Sequence, residues 1–103
     1  MRRLIEDETI RVKIPKHAQI ESVKDGIDQY LLYVLMTGEI IEDYPERRRV
    51  LLLAFAAEEK IPVHIILEYF EGDDFATIVS AYIPDDQHWE KNYKKRKRSR
   101  RKK

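Results

Sequence analysis

Eight consecutive apolar residues, Val50 to Ala57, set the architecture of this chain. The run is far short of the ~18–20 residues that span a bilayer. It is rich in aliphatic side chains, and both faces of an extended Val50–Phe55 are apolar. That is the signature of a strand with neighbours on either side and cover above and below. A sheet built around it needs partners, and the flanking sequence supplies them. Ile40 to Tyr44 reads as a strand stopped by Pro45 and a Glu46–Arg49 turn. Ile61 to Phe70 reads as the next strand, with Pro62 near its start, where a missing N–H matters least. Glu71-Gly72-Asp73-Asp74 is a hairpin loop, and Phe75 to Ile83 returns.

Before this β-rich half, Thr9 to Ile14 alternates apolar and charged residues, as a half-buried strand does. A helical stretch follows Pro15, with Ile20, Val23, Ile27, Tyr30, Leu31 and Val34 spaced to share one face. Two readings stay open there. Gly26 caps a first helix and Asp28 N-caps a second that ends at Gly38, or one helix tolerates the glycine. After the sheet, Pro84-Asp85-Asp86 opens a final helix, pinned to the sheet by Trp89 and Tyr93. The fold class is therefore α+β: an N-terminal strand, a helix or helix pair, a three- to four-stranded antiparallel sheet meander and a C-terminal helix.

Charge is segregated along the chain. Of 20 lysines and arginines, ten lie in residues 91–103, which hold no acid. Residues 1–90 keep the other ten against all 19 acids, a formal −9 against +10. We read 1–90 as a single α+β domain and 91–103 as a basic tail that continues the last helix and is partly disordered. Such a tail suits a polyanion, with nucleic acid the first candidate, and equally a solvated end. The absence of cysteine excludes disulfides and thiol chemistry. With no secretory pattern and no membrane-length run, the expected location is the cytoplasm, with no membrane partner.

Three residues are candidates for acid–base work. His64 sits mid-strand on a face with Pro62, Ile66, Glu68 and Phe70, and imidazole titrates near neutral pH. Ser80 or Tyr82 falls near it if the two strands pair through the Glu71–Asp74 loop, and Tyr82 there can stack on a base or donate to phosphate. His17 precedes the first helix. The histidines show no metal-ligand spacing, so no metal and no cofactor are expected. Nucleic-acid contacts are assigned to Arg47, Arg48 and Arg49, the one basic cluster of the body, and to Lys94, Lys95, Arg96, Lys97 and Arg98 of the tail.

Several stretches together resemble a bacterial family of uncharacterised domains, the domain-of-unknown-function family 4258. They are His17-Ala18, Gly26-Ile27, Thr37 to Pro45 (Thr-Gly-Glu-Ile-Ile-Glu-Asp-Tyr-Pro), Pro62-Val63-His64 and Ala81 to Asp85 with Trp89. They span about residues 12–97. Members look like small toxins of the RelE/BrnT type, with helices packed on a small antiparallel sheet. The resemblance implies a toxin-like RNA-binding protein paired with an antitoxin-like protein, and a metal-independent mRNA endoribonuclease activity. His64 and His17 would then be its acid–base pair. The family carries arginines on the first helix where this chain has Glu21 and Asp25, two anions that would repel a phosphate backbone. The competing readings are a non-catalytic protein-interaction module and a nucleic-acid-associated protein without turnover.

Overall fold

The computed structural model describes residues 11–69 and 75–97. Thr9 and Ile10 of the expected first strand, the Glu71–Asp74 loop and residues 98–103, Arg98 among them, lie outside the described residues.

The chain runs β1 (Arg11–Lys13), α1 (Lys16–Lys24), a 3-10 turn (Asp28–Tyr30), α2 (Leu31–Thr37), β2 (Glu39–Tyr44), β3 (Arg49–Ala56), β4 (Ile61–Tyr69) and β5 (Phe75–Tyr82). The strands form one five-stranded sheet in the order β1-β5-β4-β3-β2. β2 to β5 pair antiparallel in chain order. β1 joins β5 in parallel, so the N-terminal strand extends the antiparallel meander into a mixed sheet.

The helix pair is joined as the Gly26 reading anticipated. Gly26 has φ +71°, Ile27 N–H donates to Ser22 O at 2.9 Å and Gly26 N–H to Val23 O at 2.9 Å. This is a Schellman closure, and the left-handed φ favours glycine. Asp28 does not cap the second helix: it opens a 3-10 turn and makes no side-chain cap bond. α2 then ends at Gly38, where a Cβ would stand 2.5 Å from the Val34 carbonyl oxygen. Only glycine lets the chain turn from α2 into β2 against that carbonyl.

One face of the sheet packs on the helices. Val50, Leu52, Ala54, Val63, Ile65, Leu67 and Ile78 meet Ala18, Ile27, Leu31, Val34 and Leu35 in a continuous core. Full burial of side chains such as Ile65, Leu67 and Ile78 contributes about 2–3 kcal/mol each. The expected inward stripe of α1 is corrected. Ile20 and Val23 are exposed, and Ala18 and Ser22 are buried in their place.

The reason lies at the edge of β5. β1 pairs with β5 only as far as Thr77. Beyond it, α1 takes the place of a strand. His17 Nε2 donates to Val79 O at 3.0 Å. Glu21 Oε1 accepts from Ala81 N–H at 2.9 Å and from Ser80 Oγ–H at 2.8 Å. Asp25 Oδ2 accepts from Ile83 N–H at 2.9 Å. Four residues of helix rise about 6 Å, close to the roughly 6.6 Å of two strand residues, so side chains at i, i+4 and i+8 match alternate strand positions. Backbone groups that must be paired thus select which side of α1 turns inward. Glu21→Ala is expected to lower stability by about 2 kcal/mol, since it orphans an N–H and a hydroxyl held by a charged acceptor. Glu21→Gln should cost less. Urea denaturation reads both, and an unchanged midpoint for Glu21→Ala would remove this account of the edge.

The second sheet face is covered by the chain after β5. Among the described residues, no helix forms there. Asp85 Oδ1 accepts from the N–H groups of Gln87 and His88, and the chain makes turns. Trp89 and Arg96 form an isolated antiparallel bridge, with Glu90 N–H bonded to Lys95 O and Lys97 N–H to His88 O. Tyr93 at the tip has φ 59°, a left-handed conformation that a helix excludes. The expected C-terminal helix is therefore replaced by a hairpin-like loop, and the tail from Lys91 to Lys97 does not continue a helix. This loop is the second cover that β3 requires: Leu51 and Leu53, on its far face, are 1% and 3% exposed.

Candidate functional site

Period-2 alternation points His64 away from the helical core, and the antiparallel register puts it opposite Leu53 on β3 and Tyr82 on β5. Of the two residues expected near His64, Ser80 and Tyr82, the register selects Tyr82, after a bulge between the Leu67–Ile78 and Ile66–Ser80 pairs. His64 is nonetheless 0% exposed. Its Nε2 lies 2.8 Å from Tyr93 O. A carbonyl only accepts, so Nε2 carries the proton and Nδ1 of the neutral ring is left as the acceptor. Tyr82 hydroxyl stands 3.4 Å from Nδ1 and donates to it. The rings of Trp89 and Tyr82 meet the imidazole edge-to-face, with centroids at 4.4 Å and 5.4 Å. Burial pushes the His64 pKa below its ordinary value, against the opposing pull of the Tyr93 carbonyl and the Glu42 charge. Burial likewise raises the pKa of Tyr82. At neutral pH the cluster is therefore an uncharged imidazole and an uncharged phenol.

A general base needs a nitrogen within reach of the proton that it removes. Both nitrogens of His64 are engaged, and the 85–97 segment lies over them. His17 is not brought to His64 as an acid–base partner. It sits on α1 at the β5 edge and is bonded to the Val79 carbonyl. Tyr82 belongs to both settings: it lines a groove of about 450 Å³ with His17 and Lys24, and its hydroxyl reaches His64. Among the described residues, no three His, Asp or Glu side chains are grouped to hold a metal ion, and no helix is long and apolar enough to cross a membrane.

The basic candidates fare differently. The Pro45–Arg47 3-10 turn and the left-handed Arg48 (φ 54°) close the β2–β3 hairpin. That turn sets Arg47 and Arg49 around a concavity of about 250 Å³, and Arg96 of the C-terminal segment enters the same concavity beside Tyr44 and Glu42. Arg96 grips Glu42 with two parallel bonds, Nε–Oε2 at 3.0 Å and Nη2–Oε1 at 3.1 Å. Its guanidinium also lies 4.6 Å over the Trp89 ring. Tyr44 hydroxyl donates to Glu42. Burial would raise the Glu42 pKa, and the hydrogen bonds from Arg96 and Tyr44 overcome it and hold the carboxyl below its usual range. Arg49 pairs with Glu68 at 3.4 Å and Lys94 with Glu39 at 3.2 Å.

Glu39 and Glu42 are three apart, which on a regular strand sends them to opposite faces. A bulge intervenes: Glu39 is opposite Leu53, and Glu42 is opposite Leu51, two residues away. The extra residue, Ile41, puts both carboxylates on the face that the C-terminal segment covers. The roles of Glu39, Glu42 and Tyr93 went unforeseen in the sequence. One signal for the cover was present in it, namely the two-sided apolar pattern of β3, which called for a second layer when the only aromatics left downstream of β5 were Trp89 and Tyr93.

No curated protein and no solved structure matches the chain. A family model does match, described as a domain of unknown function, DUF4258, over residues 14–83. That stretch runs from the start of α1 to the end of β5. It contains His17, Tyr82, His64 and the arginine turn, and it stops before the segment that covers them. The chain therefore belongs to the DUF4258 family, with residues 84–97 lying outside the match.

Proposed function

We propose that this chain is a toxin-like RNA-binding protein that engages a single strand through the arginine turn and the C-terminal segment. One observation carries the reading. Arg47 and Arg49 stand nearly fifty residues from Arg96, yet all three line one concavity. Guanidinium groups around a hollow suit backbone phosphates, and Tyr44, 39% exposed beside them, offers a ring on which a base can stack. Lys95 and Lys97 are exposed on the same segment and extend the charge. The RelE/BrnT likeness and the antitoxin-like partner belong to this proposal. Two short helices on one face of a largely antiparallel sheet agree with it. Cleavage is the conditional part, because His64 has no open nitrogen while Tyr93 and Tyr82 hold it.

The test is fluorescence polarisation of a labelled single-stranded RNA against salt. With about six contacts, log affinity should fall with log salt at a slope near −4, from ~0.7 per phosphate. Arg47→Gln and Lys95→Gln should each flatten it by about 0.7. Neither side chain pairs with a carboxylate among the described residues, so both variants keep the fold. Binding that ignores salt and both substitutions would sink the reading.

A second reading has its own observation. The Lys94–Glu39 and Arg96–Glu42 pairs neutralise tail cations within the molecule. On that reading the chain is a non-catalytic interaction module whose tail serves its own acidic body. Wild-type protein that binds no RNA even at low salt would favour it.

A further inference from the structure

Resting on the RNA-binding reading, we propose that residues 85–97 form an intramolecular cover in which Glu39 and Glu42 occupy the cations intended for RNA, so that a strand taking Lys94 and Arg96 lifts the cover and bares His64 and Tyr82. A carboxylate on an arginine in parallel two-bond geometry has the shape of a phosphate contact. The Arg96–Glu42 pair is therefore a stand-in for the ligand, and the β2 bulge places Glu39 to hold Lys94 in the same way. These holds are exchangeable. The Lys94 and Glu39 side chains are 45% and 55% exposed; Arg96 is 56% exposed and reaches in to a Glu42 that is 18% exposed, so its guanidinium is the partner open to exchange.

The cover also has the features of a segment that opens locally. It contains one isolated bridge and no helix or strand, and it follows the last element of the sheet. Its main inward anchors are Trp89 and the Tyr93 carbonyl on His64. Segments with few buried contacts and little regular hydrogen bonding open at lower cost than the core. A ligand can shift such an equilibrium only by preferring one state. RNA meets that condition, because Lys94 and Arg96 are free to contact phosphate only when released from β2. The same two events, loss of the internal pairs and exposure of an imidazole beside a phenol, would couple binding to acid–base chemistry.

Trp89 is the only tryptophan in the chain, so it reports the cover directly. Acrylamide quenching of its fluorescence would be measured in the full-length protein with and without a uridine oligomer. Polarisation would follow binding in parallel. Wild type alone should be shielded, and saturating oligomer should raise quenching several-fold. The double variant Glu39→Gln/Glu42→Gln should bind the oligomer several-fold more tightly. Hydrogen exchange at the amides of Glu90, Tyr93 and Lys97, whose bonds close the loop, should quicken with oligomer in wild type, which covers the case of a poorly folding variant. If the oligomer binds but Trp89 and those amides stay protected, the cover proposal is overturned and RNA binding stands. Unchanged or weaker binding by the double variant overturns the competition by carboxylates. An oligomer that binds neither protein overturns both proposals, and polarisation distinguishes that case.

Discussion

His64→Ala should lower the unfolding free energy by about 3–5 kcal/mol, the largest effect expected of any single substitution outside the sheet's aliphatic core. Two costs combine. The missing ring leaves a cavity between Trp89 and Tyr82. It also strips the Tyr93 carbonyl and the Tyr82 hydroxyl of partners in a dry place, at about 1–3 kcal/mol for each group left unpaired. The histidine also makes stability depend on pH. Its folded pKa lies below the 6.5 of an unburied imidazole, because burial penalises the cation. Above about 6.5 both states are neutral and pH has no effect through this group. As pH falls below 6.5 the unfolded chain takes up a proton that the folded chain refuses, so stability declines until the folded pKa is reached. Glu42 acts in a lower window. Its folded pKa is below 4.5, so its contribution is present above 4.5 and is lost as pH falls through the folded value. Chemical denaturation of wild type between pH 7 and 4 should therefore show a decline that starts near 6.5. His64→Gln, which cannot titrate, should hold level until the carboxylate window. A decline from 6.5 that survives in His64→Gln would assign it elsewhere.

Trp89→Ala is the second large effect and acts through the cover. Trp89 is 4% exposed, wedged between the imidazole and the Arg96 guanidinium. Truncating a buried tryptophan costs about 3–5 kcal/mol. The cover, however, holds no helix or strand and lies outside the sheet, so the loss should appear largely as detachment. Water then reaches His64 and the desolvation that depressed its pKa disappears. An NMR titration of the His64 ring should move toward the ordinary imidazole value in the variant. An imidazole that still resists protonation would mean that the sheet, and not the cover, dries the site.

How much of this could be read beforehand depended on how local the deciding physics was. The β3, β4 and β5 strands follow from alternation and turn residues within about twenty positions, whereas the register does not: counted regularly from Tyr69–Ala76, His64 would meet Ala81, and a one-residue bulge in β5 sets it opposite Tyr82. Gly26 and Gly38 mark the helix ends for equally local reasons. The side of α1 that turns inward did not follow. Ile20 and Val23 form the more apolar stripe, yet backbone groups at Val79, Ala81 and Ile83 recruit His17, Glu21 and Asp25, and hydropathy does not register an unpaired strand edge. The two acids that looked hostile to RNA on that helix are thus accounted for as acceptors for the sheet. The C-terminal segment failed as a helix for a related reason. Trp89 and Tyr93 are spaced for one helical face, and the spacing is met equally by a loop that drops the indole onto His64 from 25 residues away. Alternation also sent Glu39 and Glu42 to opposite sides, and a one-residue bulge reversed that.

The helix lying along β5 has one more consequence, for how this protein meets its own copies. An edge with free N–H and C=O groups is a template for a neighbour's strand, and repeated addition leads to fibrils. Here His17, Glu21 and Asp25 fill those positions from within. On the opposite border, the bulge in β2 breaks the regular ladder that an incoming strand would need. Strand addition is thus hindered along Val79–Ile83, and loss of Glu21 and Asp25 together would turn a modest stability defect into a tendency to aggregate.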